Sequence, residues 1–221
     1  MTDQLQTIEI ETRPKPSHSI IWLHGLGADG NDFVPIAREL SLPPLGIRFV
    51  FPHAPMRPVT INGGFVMRAW YDIAQQDVRL KEDEQGLRQS QQLIEQLIAT
   101  QATRGVPLSR IVIAGFSQGG VISLQTGLRQ RERLAGIMSL SAYLPLSSAI
   151  EKERNAASND VPIFLGHGNA DNIVPLPLGI ASRDRLLKLG YDVDWHQYPM
   201  AHSVCPEELE DISAWLTRVL L

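Results

Sequence analysis

Ile111-Val112-Ile113-Ala114-Gly115-Phe116-Ser117-Gln118-Gly119-Gly120 is the stretch on which the reading of this chain turns. Its first four residues are apolar throughout, as in a strand covered on both faces. Gly115 to Gly119 then spells G-x-S-x-G, and a helical pattern follows over Gln118–Gln130. A tight strand-to-helix turn strains the backbone of its central serine. Small residues two places before and two after let strand and helix approach without Cβ clashes. The helix behind the turn presents unpaired N–H groups and its positive dipole end beside the hydroxyl. This strand–turn–helix context is the one in which the motif presents a nucleophile. The plain alternative is a glycine-rich turn without chemistry, so the partners of Ser117 decide.

Outward from this stretch, apolar runs alternate with longer helical patterns, the rhythm of βα units and of an α/β fold with a mostly parallel central sheet. The pattern predicts strands at Thr7–Glu11, Ser19–His24, Ile47–Phe51, Arg110–Gly115, Gly136–Ser141, Pro162–Gly166 and Asp192–Tyr198. It predicts helices at Asp32–Leu40, Asp83–Thr103, Gln118–Gln130, Leu178–Leu189 and Glu207–Leu220. Leu87, Ile94 and Ile98 recur at helical spacing in the second, and Gly105 sits just past its end. Two stretches fit neither pattern. Pro52–Tyr71 reads as a long ordered loop, and Tyr143–Asp160 as a loop with a short charged piece.

The chain has 221 residues, 43 % of them hydrophobic and 20 % charged, which describes an ordinary globular protein and one domain over 1–221. Twenty Lys and Arg against 24 Asp and Glu leave a net charge of −4, without the basic footprint of a nucleic-acid binder. The run Lys81-Glu82-Asp83-Glu84 reads as a solvated helix start. One cysteine, Cys205, makes neither an internal disulfide nor a cysteine metal site, and it reads as small filler near a helix start. Apolar stretches are far shorter than the roughly 18 residues of a membrane span. The polar, acidic N-terminus lacks the layout of a signal peptide, so the cytoplasm is the expected compartment. No cofactor is expected, and no H-E-x-x-H or comparable metal cluster is present.

Gly25-Leu26-Gly27-Ala28-Asp29-Gly30 after an early strand matches the G-x-G-x-x-G of dinucleotide binding. That fingerprint also wants an acid at the end of the next strand. Ile47-Arg48-Phe49-Val50-Phe51-Pro52 has none. Begun one residue earlier, His24-Gly25-Leu26-Gly27 reads instead as a loop whose main chain can approach a developing oxyanion. This second reading is preferred because Ser117 supplies a nucleophile to go with it.

A serine nucleophile needs a base and an acid to orient it. Of six histidines, only His167, His196 and His202 follow Ser117. His167 precedes the best acid, and His196 lies inside an alternating strand as a structural or surface residue. His202 lies just past that strand, in a loop at a strand's carboxyl end, where ligands and catalytic groups gather. Asp171 follows the strand Pro162–Gly166 and falls between Ser117 and His202, the order of hydrolases built on this turn. Trp70-Tyr71-Asp72 either lines a pocket or packs a loop.

Six segments taken together resemble a known family. They are Leu23–Gly30, Phe51–Pro55, Arg68–Asp72, Gly115–Gly120, His167-Gly168 with Asp171 and Val174-Pro175, and His202–Glu208. The chain is similar to the small bacterial carboxylesterase and acyl-protein thioesterase group, also called phospholipase/carboxylesterase, of the α/β-hydrolase superfamily. The resemblance implies a single α/β-hydrolase domain with helices on both faces of its sheet. It implies a Ser117, Asp171 and His202 triad, and an oxyanion hole from the backbone N–H groups of Leu26 and Gln118. It further implies a homodimer and hydrolysis of short- to medium-chain acyl esters through an acyl-enzyme. Acyl-protein thioesterase or lysophospholipase activity is the alternative in the same fold, and a catalytically silent binding module the more distant one. Walls for the substrate are expected from the 52–72 loop, with Phe65 and Trp70 as its contacts.

Overall fold

The run Ile111–Ala114 becomes the middle of a seven-stranded sheet. The computed structural model describes residues 5–75 and 82–221. Its strands are β1 (Thr7–Glu11), β2 (His18–Leu23), β3 (Ile47–Pro52), β4 (Met56–Val59), β5 (Phe65–Arg68), β6 (Ile111–Phe116), β7 (Gly136–Leu140), β8 (Ile163–Gly168) and β9 (Val193–Tyr198). Its α-helices are α1 (Val34–Glu39), α2 (Glu84–Thr103), α3 (Gln118–Gly127), α4 (Ile150–Glu153), α5 (Leu176–Lys188) and α6 (Pro206–Leu220). The large sheet runs β1-β3-β2-β6-β7-β8-β9. Every neighbouring pair is parallel except β1 against β3.

Period-two alternation sends successive side chains to opposite faces. Ile20 and Trp22 therefore join Phe33, just before α1, Ala37 of α1, and Trp215 and Leu216 of α6 on one face. Ile21 and Leu23 join Leu87, Ile94 and Ile98 of α2, Val121 and Leu124 of α3, and Leu186 of α5 on the other. Both faces are apolar because both are covered, which is why the middle strands read as unbroken hydrophobic runs.

Element boundaries differ from the sequence expectation by one to three residues. Arg110 belongs to a 3₁₀ turn before β6, and α3 stops at Gly127. Larger differences lie in the two stretches expected to be loops. Pro52–Tyr71 contains the antiparallel hairpin β4–β5, with Met56 opposite Arg68 and Val59 opposite Phe65. Its tip turns through Gly63 and Gly64 at φ 66° and 79°, a region open mainly to glycine. Four-residue strands carrying Pro58 and Arg57 show too little alternation to be read in advance. The charged piece of Tyr143–Asp160 is α4, a single turn.

The charge run before α2 is not simply solvated. Asp83 caps α2 by accepting the Gly86 N–H at 2.9 Å. The same carboxylate accepts the Asp72 N–H at 2.8 Å, and Asp72 in turn holds Thr60 N–H at 2.7 Å, at the hairpin tip. Glu82 is half-buried and accepts the Leu146 N–H at 3.0 Å; burial raises its carboxyl above the usual range. Lys81 lies outside the described residues.

Candidate active site

Ser117 follows β6 at φ 54°, ψ −121°, a strained conformation for a residue with a Cβ. Its N–H donates to the Leu140 carbonyl of β7 at 2.8 Å, which holds the turn. The flanking glycines are sterically required. A Cβ on Gly115 would collide with the Gly119 main chain, and one on Gly119 with the carbonyls of Leu23 and His24. A Cβ on Gly120 would come within 2.8 Å of the Ala142 Cβ.

Ser117 Oγ lies 2.9 Å from His202 Nε2, and His202 Nδ1 lies 2.7 Å from Asp171 Oδ2. The His202 ring packs on Phe116 at 4.7 Å between centroids. Asp171 turns its other oxygen to the N–H groups of Ile173 (2.9 Å) and Val174 (2.8 Å), so its charge is bonded on both sides although the side chain is fully buried. β8 carries Asp171 to this place. The loop after β9 is laid against it by Asn169 N–H to the Tyr198 carbonyl at 2.8 Å and Ala170 N–H to Met200 at 3.0 Å. Strand ends thus converge residues 31 and 85 positions apart.

The His24–Gly27 loop runs beside the turn, with Gly25 facing Ser117: a Cβ there would sit 3.4 Å from the Ser117 Cβ. The Leu26 N–H donates to no protein group among the described residues. Gln118 is the first residue of α3, where an N–H has no helical acceptor. Both donors that the resemblance implies are thus unengaged. The loop itself is tightly held. His24 Nε2 accepts the Ala54 N–H at 3.0 Å, so its proton sits on Nδ1, which donates to the Gly25 carbonyl at 2.7 Å. Burial lowers the His24 pKa to about 4, with the Gly25 bond a smaller opposing influence. Gly27 N–H reaches the Arg68 carbonyl at 2.9 Å, tying the loop to β5.

Phe65 and Trp70 part company. Phe65 projects from the hairpin, 70 % exposed. Trp70 is fully buried, which corrects its expected place at the substrate: its indole N–H donates to the His24 carbonyl at 2.9 Å, and it braces the loop from behind. Cys205 is the N-cap residue of α6 and half-buried, and burial raises its thiol above the usual range. His196 is held between Asp194 (2.8 Å) and Asp211 (3.1 Å) and stacks on Phe164, a structural role. No cluster of three or more metal-ligating side chains occurs among the described residues.

Two contributors were not legible as such. His167 Nε2–H donates to the Val174 carbonyl (2.8 Å) and lies 3.7 Å from Asp171 Oδ2, so it steadies the turn that carries the acid. The carbonyl acceptor requires the proton on Nε2, and burial lowers the ring's pKa, which favours its neutral form. The second is the side chain of Gln118, which bonds the main chain of Trp70 and Tyr71. The order of H-G and D-x-x-V-P in the sequence hints at the first; nothing local hints at the second. Outside the turn, Gly27, Asp29, Asp32, Met56, Val66 and Arg68 border an open hollow of about 580 Å³.

A hydrogen-bonded serine, imidazole and buried carboxylate beside two free main-chain donors can transfer an acyl group. Fold and site together define an α/β hydrolase acting on carboxylic esters. More particularly, residues 5–220 match the phospholipase/carboxylesterase family, and the chain belongs to it. It is 35 % identical to acyl-protein thioesterase 1 of Cryptococcus neoformans over 237 residues, covering 100 % of both chains. It is 40 % identical to acyl-protein thioesterase 1 of Mycosarcoma maydis over 234 residues, covering 98 % of each. The crystal structure of Arabidopsis thaliana SOBER1 superposes with a TM-score of 0.88 at 31 % identity, over 92 % of this chain and 99 % of that one.

Proposed function

We propose that this hydrolase cleaves acyl thioesters, and acyl esters more generally, through Ser117. The observation that carries the reading is the line Ser117 Oγ, His202, Asp171 at 2.9 and 2.7 Å. Ser117 attacks the acyl carbonyl and His202 takes its proton. The Leu26 and Gln118 N–H groups receive the oxyanion. Asp171 fixes the imidazole tautomer and stabilises its cation. The leaving group departs, and water activated by His202 releases the acyl-enzyme.

Two facts favour a thioester over the simple carboxylesterase reading. The relatives at 35–40 % identity carry the name acyl-protein thioesterase. The hollow beside the glycine loop is also bordered by exposed apolar side chains of the hairpin, Met56 and Val66. Such a rim suits an acyl chain entering from a bulky carrier, and a cysteine thiolate, with a free pKa of about 8.5, leaves readily. The test compares kcat/KM for an S-acylated peptide with that for the matching O-acyl serine peptide, over acyl chains of increasing length. A higher value for the thioester series supports the proposal; turnover of the oxygen esters alone returns the chain to the carboxylesterase reading. The cytoplasm as its compartment and a homodimer as its assembly are further parts of the proposal, tested by fractionation and light scattering.

A further inference from the structure

One row of the sheet runs beneath the nucleophile turn. Phe116, Leu140, Gly166 and His196 pair in register across β6, β7, β8 and β9. Residues paired in this way face the same side, here the side covered by α6. Phe116 supports the His202 ring. Between Leu140 and His196 the row has a gap, because Gly166 has no side chain. The carboxyl of Glu208 fills it: a Cβ on Gly166 would land on Glu208 Oε1 and lie 3.2 Å from its Cδ. Glu208 is fully buried in the first turn of α6, and neither of its oxygens has a hydrogen-bond partner among the described residues. His202 and Glu208 are the two ends of one short segment, and each end rests on this same row.

We propose that Glu208 is a positioning residue for the reaction, seating the segment that bears His202 by placing its carboxyl in the Gly166 gap. This rests on the reading of His202 as the base. A buried, unbonded carboxyl is tolerated when neutral and is costly when charged. The groups around it favour the neutral form. Asp211 faces it from α6, with Cys205 at the same helix start and Glu207 exposed. From β9, Tyr198 donates its hydroxyl to Asp211 at 2.8 Å, and His196 is engaged by Asp194 and Asp211. β8 offers no titratable side chain at Gly166, and Arg218, toward the far end of α6, is held by Asp194 at 2.6 Å. Burial first, and the Asp211 charge second, push the Glu208 carboxyl up to about 8. Ionisation above that pH puts a charge in the slot and unseats the segment.

The experiment measures kcat/KM from pH 6.5 to 10 with a soluble acyl ester, together with melting curves from pH 4.5 to 9. Wild type should fall through an apparent pKa near 8. Glu208→Gln has the same shape and cannot ionise, so its profile should show no fall toward high pH, whatever its absolute rate. Below pH 8, Glu208→Ala should lose about 10-fold in kcat, with little change in KM, and Glu208→Gln should recover most of that loss. In the folded chain Glu208 keeps its proton up to about 8, but an unfolded chain loses it near the ordinary carboxyl value. The stability of wild type should therefore fall relative to Glu208→Gln from about pH 5 to pH 8 and run parallel above. A wild-type profile that stays level to pH 10, or a Glu208→Gln profile that falls as wild type does, overturns the proposal. If no variant hydrolyses any ester or thioester, the hydrolase reading of Ser117 and His202 fails instead. The melting curves then decide the seat alone, and curves parallel throughout overturn it.

Discussion

The side chain of Gln118 is bonded to the main chain of Tyr71: Nε2 donates to the Tyr71 carbonyl at 2.9 Å, while Oε1 accepts the N–H of the preceding Trp70 at 3.0 Å. The Trp70 carbonyl in turn accepts the Ser90 hydroxyl from α2. The residue after the nucleophile therefore has two separable duties. Its N–H faces the proposed oxyanion position, and its side chain closes the strand leaving the hairpin against the turn.

Gln118→Ala keeps the N–H and deletes the side-chain bonds. It leaves a buried N–H and a buried carbonyl unpaired, at about 1–3 kcal/mol each. The expected result is a clearly lower Tm and a kcat reduced about 10-fold, with far-ultraviolet circular dichroism unchanged. A variant that melts and turns over like wild type would show that the clamp does nothing for the site.

Removing Ser117 or altering Asp171 should separate nucleophile from orienter. Ser117→Ala should cost at least about 10³-fold in kcat/KM and abolish labelling by a fluorophosphonate. Asp171→Asn should leave the nucleophile in place yet cost about 10³–10⁴-fold, because an amide cannot hold the imidazole in its working tautomer. Peptide mass spectrometry of labelled wild type should find the adduct on Ser117; an adduct on another serine would refute the assignment.

Acid sensitivity should trace in part to His24. Its folded pKa is lowered to about 4 by burial, against 6.5 in a free chain. Between those values the unfolded chain binds the extra proton, so stability is lost as pH falls from about 6.5 to 4, by up to about 3 kcal/mol. His167 is shifted in the same direction. His24→Asn cannot take up that proton, and its Tm should depend less on pH across this window than that of wild type. Equal slopes would locate the acid sensitivity elsewhere.

Phe65 and Trp70 should respond oppositely. Phe65 is exposed, so Phe65→Ala should change stability by less than about 0.5 kcal/mol while raising KM for long acyl chains more than for acetyl esters. Trp70→Phe removes the indole N–H from the His24 carbonyl and should destabilise by about 1–3 kcal/mol. KM values over a chain-length series and two melting curves check both.

The sequence alone determined the layers of this protein and the positions of its proposed chemistry. Runs such as Ile20–Leu23 and Ile111–Ala114 required a sheet covered on both faces. Gly115-x-Ser117-x-Gly119 named the turn, since only glycines tolerate the approach of α3 to β6 and β2 found there. Chain order, with strand ends as the place to look, pointed to Asp171 and His202. These features were legible because each depends on local periodicity, on local sterics or on a fixed order. Tertiary structure decided what the remaining residues do. Trp70 became a brace, since the indole expected at the substrate instead donates its N–H to the His24 carbonyl. The hairpin β4–β5 exists because Asp72 and the Arg68 carbonyl tie it to α2 and to the glycine loop, over separations that no local pattern encodes. Glu208, one of two adjacent glutamates in the first turn of α6, was buried because the sheet offers a gap at Gly166. Burial and long-range hydrogen bonding belong to pairs of residues brought together by the fold, and one-dimensional spacing does not carry them.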